Sequence, residues 1–518
     1  MGVEILQPMR IVDRVRRFGW PAVLVVSSGI LIGRLIPAIL DAKLYQLLAV
    51  IGVMGGAVFI AVRPTFERIF HLLLLSLPLM TAFVINVGGF IRVSFLLTLL
   101  GLLAALTEGR LRIPKRCISV SLLNFFVFFS LISTVFTLGI PDLPTTVTLS
   151  GIRRPSVRSI IQAGQLLVMV GAFFLTLSYV RSKTDLQRVV TFILWGSLFA
   201  TLYGFYEFFA AMFKIPFVDL NNAVMERGNL TAGYTVAGVF VVRPRSTFFE
   251  PIGLSTFLLF AGPLVLALAY AQPRRVLRWR MLLCCLGMVT LFVVANSRMA
   301  LIGFILLLPL LFLLLGTWKA RMSLLGGLVV VIATFAFVVG SSSQDLSRRL
   351  EFAGLIATDR LDSVINLRGR AEGNEEPYAE VKPIFADHPI MGVGIGNFPY
   401  YLSDPGRGGE IATSGSLYVQ LLVEGGVVGT GIFLAFVGSI LLGLLRVIRR
   451  TSDLVLYRFA LASFTSIVTV VTTWIAVPGL YTDTYLWVMM ALGVAIPRLC
   501  NKEGGGIVGG PAAHVYIR

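Results

Sequence analysis

Long apolar runs separated by short polar or basic breaks dominate the chain from Trp20 to Ile496. Each run is long enough to cross a hydrocarbon core of roughly 30 Å as a helix. Stretches such as Met322–Gly340 do not alternate apolar and polar residues, which excludes a transmembrane barrel. Run length predicts about fourteen helices, near 20–40, 44–62, 67–87, 90–107, 118–140, 160–180, 188–212, 252–271, 280–296, 299–316, 322–340, 426–446, 457–477 and 482–497. The expected fold class is therefore all-α: a polytopic integral membrane bundle of about 12–14 transmembrane helices with one large external loop.

Composition agrees with the pattern. The 518 residues are 57% hydrophobic and 14% charged, and mean hydropathy is +0.88, outside the range of an ordinary soluble domain. Met1–Gly19 carries Arg10, Arg14, Arg16 and Arg17 without a small-residue cleavage site after a short apolar segment. It reads as the cytoplasmic flank of the first span, not as a cleaved signal.

The charges orient the bundle. With the N-terminus inside, the inner segments hold 26 of the 44 basic residues against 7 of the 26 acidic ones, a net +19 out of +18 for the whole chain. Positive charge collects on the cytoplasmic side of membrane proteins, so both termini are placed there and the long polar segments outside. The pI of about 10.2 is explained by these short basic connections. No basic face interleaved with aromatic residues points to nucleic acid, and none is expected as a partner. Cys117, Cys284, Cys285 and Cys500 form no disulfide framework, and His71, His388 and His514 lack metal-ligand spacing. Neither a metal nor a cofactor is expected.

Three outer segments, about 141–159, 213–251 and 341–425, carry the exceptions to the charge rule. Arginines beside apolar helices on that side need an anion or a route to water. The first constellation is Arg243-Pro244-Arg245-Ser246-Thr247-Phe248-Phe249-Glu250-Pro251, where Pro251 suits a first helical turn and Glu250 lies at its N-terminal end. It reads either as two guanidiniums set beside a carboxylate for a ligand or as a local Arg–Glu pair that caps a helix. The second is Asn296-Ser297-Arg298, between two spans almost without a loop. Arg298 either snorkels or meets an anion. The third is Asn366-Leu367-Arg368-Gly369-Arg370, followed by Asp387-His388-Pro389-Ile390-Met391-Gly392-Val393-Gly394-Ile395-Gly396-Asn397-Phe398. Its glycines do not form a dinucleotide fingerprint, because Pro399 follows and no strand–helix unit surrounds them; they suit a tight turn at the membrane surface. The fourth, Leu417-Tyr418-Val419-Gln420-Leu421-Leu422-Val423-Glu424-Gly425-Gly426-Val427-Val428-Gly429, reads as a short helix, a glycine break and then a span, with Glu424 in a structural role.

In their order and spacing over about 240–440, these segments resemble the O-antigen ligase/polymerase superfamily. This group holds repeat-unit polymerases, lipopolysaccharide O-antigen ligases and protein O-oligosaccharyltransferases. The resemblance implies a glycosyltransferase-C-like bundle in the bacterial inner membrane, with a large periplasmic loop (341–425) over the active site. It implies metal-independent, inverting transfer of glycan from undecaprenyl pyrophosphate to an acceptor hydroxyl. Preorganised arginines would stabilise the charge that develops on the pyrophosphate leaving group. Arg298, Arg245 and Glu250 are the expected catalytic residues. Arg243, Arg245, Arg298, Arg368 and Arg370 are the expected ligands for pyrophosphate or glycan. Ligase-type members often carry His-Asn where this chain has Gly415-Ser416, so Glu250 is the candidate base, with Asp404, Glu410 and Glu424 behind it. The missing histidine favours a repeat-unit polymerase of surface or exopolysaccharide over a ligase. A flippase or transporter of lipid-linked oligosaccharide is the alternative from another class, for which Arg34, Arg92 and Glu207 are the ionisable residues nearest mid-span. The expected domains are N-terminal helices 1–240, a core 241–450, C-terminal helices 451–500 and a cytoplasmic tail 501–518. The expected partners are the bilayer, the lipid-linked glycan, and a chain-length regulator and flippase of the same pathway.

Overall fold

Two forces shape the described part of the chain. Apolar runs become helices because their backbone groups are satisfied internally, and the helices then bury their small and hydroxyl-bearing faces against one another. The computed structural model describes residues 65–80, 85–86, 90–114, 117–135, 155–213, 220, 233–236, 239–248, 250–295, 303–304, 307, 326, 381–401, 416–474 and 483–503. The predicted helices 20–40 and 44–62, and nearly all of 299–316 and 322–340, lie outside these residues. The chain divides into two compact units, Met1–Ile69 and Phe70–Arg518. Only residues 65–69 of the first are described; all other described residues belong to the second.

The helices are α1 (Phe66–Ser76), α2 (Val93–Thr107), α3 (Ile118–Ser133), α4 (Pro155–Tyr179), α5 (Lys183–Phe213), α6 (Pro251–Ala271), α7 (Arg275–Ala295), α8 (Leu417–Arg450), α9 (Leu454–Thr473) and α10 (Thr484–Glu503). Six of them (α4 to α9) are long and apolar enough to cross a membrane. The chain is thus a multi-pass helical membrane protein by length and hydropathy.

The boundaries differ from the predicted ones where polar chemistry intervenes. The span predicted at 67–87 ends at Ser76, just before Pro78, and a short hairpin follows in which β1 (Ile85–Asn86) pairs with β2 (Phe90–Ile91). A second hairpin, β3 (Gly233–Val236) with β4 (Val239–Val242), leads into the Arg243 segment. α5 starts earlier than predicted because Ser182 and Asp185 cap it: the Asp185 N–H donates to Ser182 Oγ at 3.2 Å and the Ser182 hydroxyl to Asp185 at 2.9 Å. The short helix and the span predicted on either side of Gly425-Gly426 are one helix, α8, bent at Gly426.

α6 runs through the middle of the bundle, packed on α5, α7 and α9, with Leu254, Phe257, Phe260 and Leu264 buried. α8 lies against α3, α9 and α10, and α4 against α2 and α10. Hydroxyls join neighbouring helices. Ser466 donates to the Phe260 carbonyl at 2.8 Å, Thr484 to Ser94 at 2.9 Å and Ser439 to Ser119 at 2.8 Å. The exposed apolar residues fall on outward faces, as with Leu99, Leu103 and Leu106 of α2 or Phe125, Phe128 and Ile132 of α3. Such stripes suit lipid contact.

Helix direction sorts the connections between two ends. At one end, Lys183 pairs with Asp453 before α9, Arg458 donates to the Tyr270 carbonyl of α6, and Arg181 donates to the Arg110 carbonyl. We call this the basic end. It gathers the segments 108–112, 181–188, 272–280 and 446–458, which the charge count assigned to a single side. The far end holds Arg92, the 243–250 segment, the 389–397 turn, Ser416 and Asp483.

Candidate functional site at the far end of the bundle

The Arg243–Pro251 segment is built around a carboxylate from another helix. Glu207 of α5, only 8% exposed, accepts the Arg245 N–H at 2.9 Å and the Ser246 N–H at 2.7 Å through one oxygen. Its other oxygen faces Arg245 Nε at 3.7 Å. Ser246 has φ +54°, the one left-handed non-glycine residue among those described. Its hydroxyl donates to the Ala200 carbonyl, and the Thr247 hydroxyl donates to the Pro78 carbonyl. A buried charge pair is costly unless hydrogen bonds complete it, and here two backbone donors do so. The strained serine persists because the carboxylate and both hydroxyls over-determine the turn.

Sequence proximity pointed to Glu250 as the carboxylate beside Arg245; the structure puts Glu207 there. Glu250 is exposed at the N-cap position of α6, makes no side-chain cap, and has no polar partner among the described residues. Arg243 extends to α7, donating from Nε to the Ala295 carbonyl at 3.1 Å. Carbonyls of a final helical turn lack intrahelical donors, so a guanidinium is a suitable cap. Ala295 directly precedes Asn296-Ser297-Arg298. Arg298, Arg368, Arg370, Asp404 and Glu410 lie outside the described residues.

The glycine-rich turn is a clasp on the bend of α8. Val393 N–H donates to the Val423 carbonyl at 2.8 Å and Gly394 N–H to Glu424 at 3.0 Å. In return, Val427 and Val428 donate to Pro389 and Ile390 at 2.9 and 3.2 Å. These bonds replace the helical ones lost where Gly426 turns to φ +60°. Gly392, at φ +68°, approaches so closely that a Cβ there would lie 2.5 Å from the Val423 carbonyl oxygen. A Cβ on Gly426 would strike Ile390 and Gly392. Ile395 ties the clasp to two more helices, accepting from Ser159 at 2.6 Å and donating to Ser133 at 3.3 Å.

Beneath the clasp, Val381, Ile384, Val393, Phe398 and Val423 form a small apolar core. Asn397 is fully buried; its amide holds the Val393 carbonyl at 2.8 Å. Glu424 is 3% exposed, within 3.5 Å of the Gln420 amide, and borders a recess lined by Phe126, Phe129, Ser133 and Leu421. His388 is exposed, and its ring meets the edge of Tyr401 at 5.8 Å between centroids. The Tyr401 hydroxyl titrates above its ordinary value because burial disfavours the phenolate. No cluster of His, Cys, Asp or Glu among the described residues is placed to hold a metal.

Two of the ionisable residues weighed for a transporter are paired near this end. Arg92 meets Asp483 at 3.2 Å, and Glu207 meets Arg245 about 9 Å along α5 from its terminus. Sequence reading singled out Glu207 as a charge in an apolar helix; its partner was not legible, because the two are 38 residues apart.

Comparison with known proteins bears on part of the chain. Residues 282–434 match the O-Antigen ligase family, Wzy_C. The resemblance seen in the residues is borne out over that stretch. The O-antigen ligase segment contains the 296–298 turn, Arg368, Arg370, the glycine clasp and the first half of α8. The Arg243–Glu250 segment lies outside it. Members of that family are membrane enzymes of glycosyl transfer. No curated protein gives a significant match.

Proposed function

We propose that this protein is a repeat-unit polymerase that transfers glycan from undecaprenyl pyrophosphate to a sugar hydroxyl of the next lipid-linked unit, at the periplasmic face. The observation that carries the reading is Arg243 on the Ala295 carbonyl, with Arg245 held beside it by Glu207. This brings the outer arginine segment to the last residue before Asn296-Ser297-Arg298, inside the O-antigen ligase segment. The Arg243 guanidinium is thus seated at the helix end from which the sequence runs on to Arg298.

In the proposed reaction the acceptor hydroxyl attacks the anomeric carbon. The bond to the pyrophosphate oxygen breaks, and its electron pair leaves with the pyrophosphate. Arg298, Arg243 and Arg245, with Arg368 and Arg370 from the loop, take up that growing charge, which is largest in the transition state. A guanidinium carries five donors, so an edge engaged by Glu207 does not exhaust Arg245. Glu250, exposed and without a described partner, is the group assigned to receive the hydroxyl proton. Glu207 is less suited, because one of its oxygens already accepts two N–H groups. No metal or cofactor is invoked.

The test is to replace Arg298 or Arg245 with Ala and follow lipid-linked glycan in cells. Single repeat units should accumulate on the outer leaflet. Normal chain length with normal membrane levels of the variant would refute the site. Glu250→Gln should cut transfer by about 10²–10⁴-fold and leave lipid binding intact. The name of the matching family favours a second reading, an O-antigen ligase. It predicts that long chains, not single units, build up on the carrier. A flippase would instead leave single units on the inner leaflet.

A further inference from the structure

The basic end of the bundle holds two guanidiniums for which no described residue supplies a counter-charge. Arg458, one turn into α9, donates from Nη1 to the Tyr270 carbonyl at 2.7 Å and lies over the Tyr270 ring, 5.7 Å from its centroid. Arg278, in the first turn of α7, donates from Nη2 to the Gln272 carbonyl at 2.8 Å. Its Nε is buried without a hydrogen-bond partner. The two side chains are close enough to repel each other. No carboxylate among the described residues pairs with either. Both are only half-buried, so the region is open on one side.

The C-terminus of α6 explains part of this arrangement. Arg458 caps the Tyr270 carbonyl of the helix's last turn and Arg278 the carbonyl of Gln272 just beyond it, and the helix dipole contributes the equivalent of about half a negative charge. Against two full positive charges that leaves more than one unit uncompensated. An orphaned guanidinium N–H and a like-charged neighbour both disfavour the bare state. A phosphate oxygen placed between the two forks would relieve both, since guanidiniums bind phosphate through paired N–H donors. The surroundings select the kind of phosphate. The pair sits where membrane-length helices end, and Val276 and Trp279 of α7 are exposed beside it, as suits acyl chains and the interface.

We propose that Arg278 and Arg458, seated on the α6 C-terminus beside Tyr270, bind the phosphate of an anionic phospholipid headgroup. The site is at the opposite end from the proposed transfer site and does not depend on it. The ligand is a resident glycerophospholipid such as phosphatidylglycerol or cardiolipin, not the glycan carrier.

The full-length protein, purified in mild detergent, tests this by native mass spectrometry of retained lipid and by thermal unfolding on titration with phosphatidylglycerol, phosphatidylethanolamine or inorganic phosphate. Wild type should retain phosphatidylglycerol and rise in Tm with it, but not with phosphatidylethanolamine. The Arg278→Gln/Arg458→Gln variant should lose retention at least tenfold and lose the shift. Equal retention by a variant that elutes as wild type overturns the proposal. So does an equal response of wild type to both lipids, which remains readable if the variant does not fold. A shift produced equally by millimolar inorganic phosphate would show a site for free phosphate and overturn the lipid assignment.

Discussion

At the scale of single residues, the Glu207–Arg245 pair shows why sequence proximity is a poor guide to charge pairing in a membrane. Glu250 is five residues from Arg245, yet Glu207, from the last two turns of another helix, is its partner. The glutamate was legible as an anomaly, because a carboxylate in an apolar helix must face something polar. What it faces is fixed only by how α5 packs on the chain after β4. Glu207→Ala should be strongly destabilising, by about 3–5 kcal/mol, since it takes the carboxylate away from a buried guanidinium and from two backbone donors. Thermal unfolding in detergent would measure this. Glu207→Gln, which keeps an acceptor, should lose less. Equal stability of Glu207→Ala and wild type would mean that Arg245 has compensation elsewhere.

At the scale of elements, the chain signalled its helices well and their joints poorly. Apolar length located α2 to α10, with ends that differ by up to nine residues, because a membrane helix needs little besides length and hydropathy. The hairpins were missed: strands of two to four residues leave no periodic trace. The glycine break at 425–426 was legible, but its partner was not. The sequence identified Gly392 as part of a turn, and the structure adds that the turn closes on the bend. Gly392→Ala and Gly426→Ala each force a side chain into backbone atoms at positive φ. Each should lower the yield of folded protein and expose 381–398 to protease, whereas alanine at the uncrowded Gly431 should not.

A second element-level prediction concerns the cap of α9. Asp453 accepts from the Val455 and Leu456 N–H groups at 2.9 Å and pairs with Lys183. Partial burial works against its charge, but the lysine and the two backbone donors outweigh this and hold its pKa below the ordinary value. A depressed pKa stabilises the fold fully above the unfolded carboxylate pKa of about 4. That contribution fades as pH falls through the lower folded value. Asp453→Asn should therefore flatten the acid limb of a stability-versus-pH curve, with little change in slope above pH ~5. An unchanged acid limb would show that the cap carries no pH-dependent stability.

At the scale of the whole molecule, the described helices form a polarised object, with basic connections at one end and the glycosyl-transfer candidates at the other. Charge counting anticipated this grouping because topology acts on loops, and loops can be read without tertiary contacts. It could not anticipate which arginines would converge. In a background lacking the native cysteines, Glu250→Cys should react with an impermeant maleimide on intact cells, and Arg274→Cys only after permeabilisation. Reaction of both from one side would contradict the orientation.

The interlocking of Gly392 with Gly426 has a mechanical consequence. Four main-chain hydrogen bonds fasten residues 389–394 across the bend of α8, two in each direction. The bend is therefore an elbow set in a splint, and it cannot swing while the splint holds. Any load on the short arm of α8 before the bend is delivered through that elbow to the long arm beyond it, so the two must shift as one rigid piece.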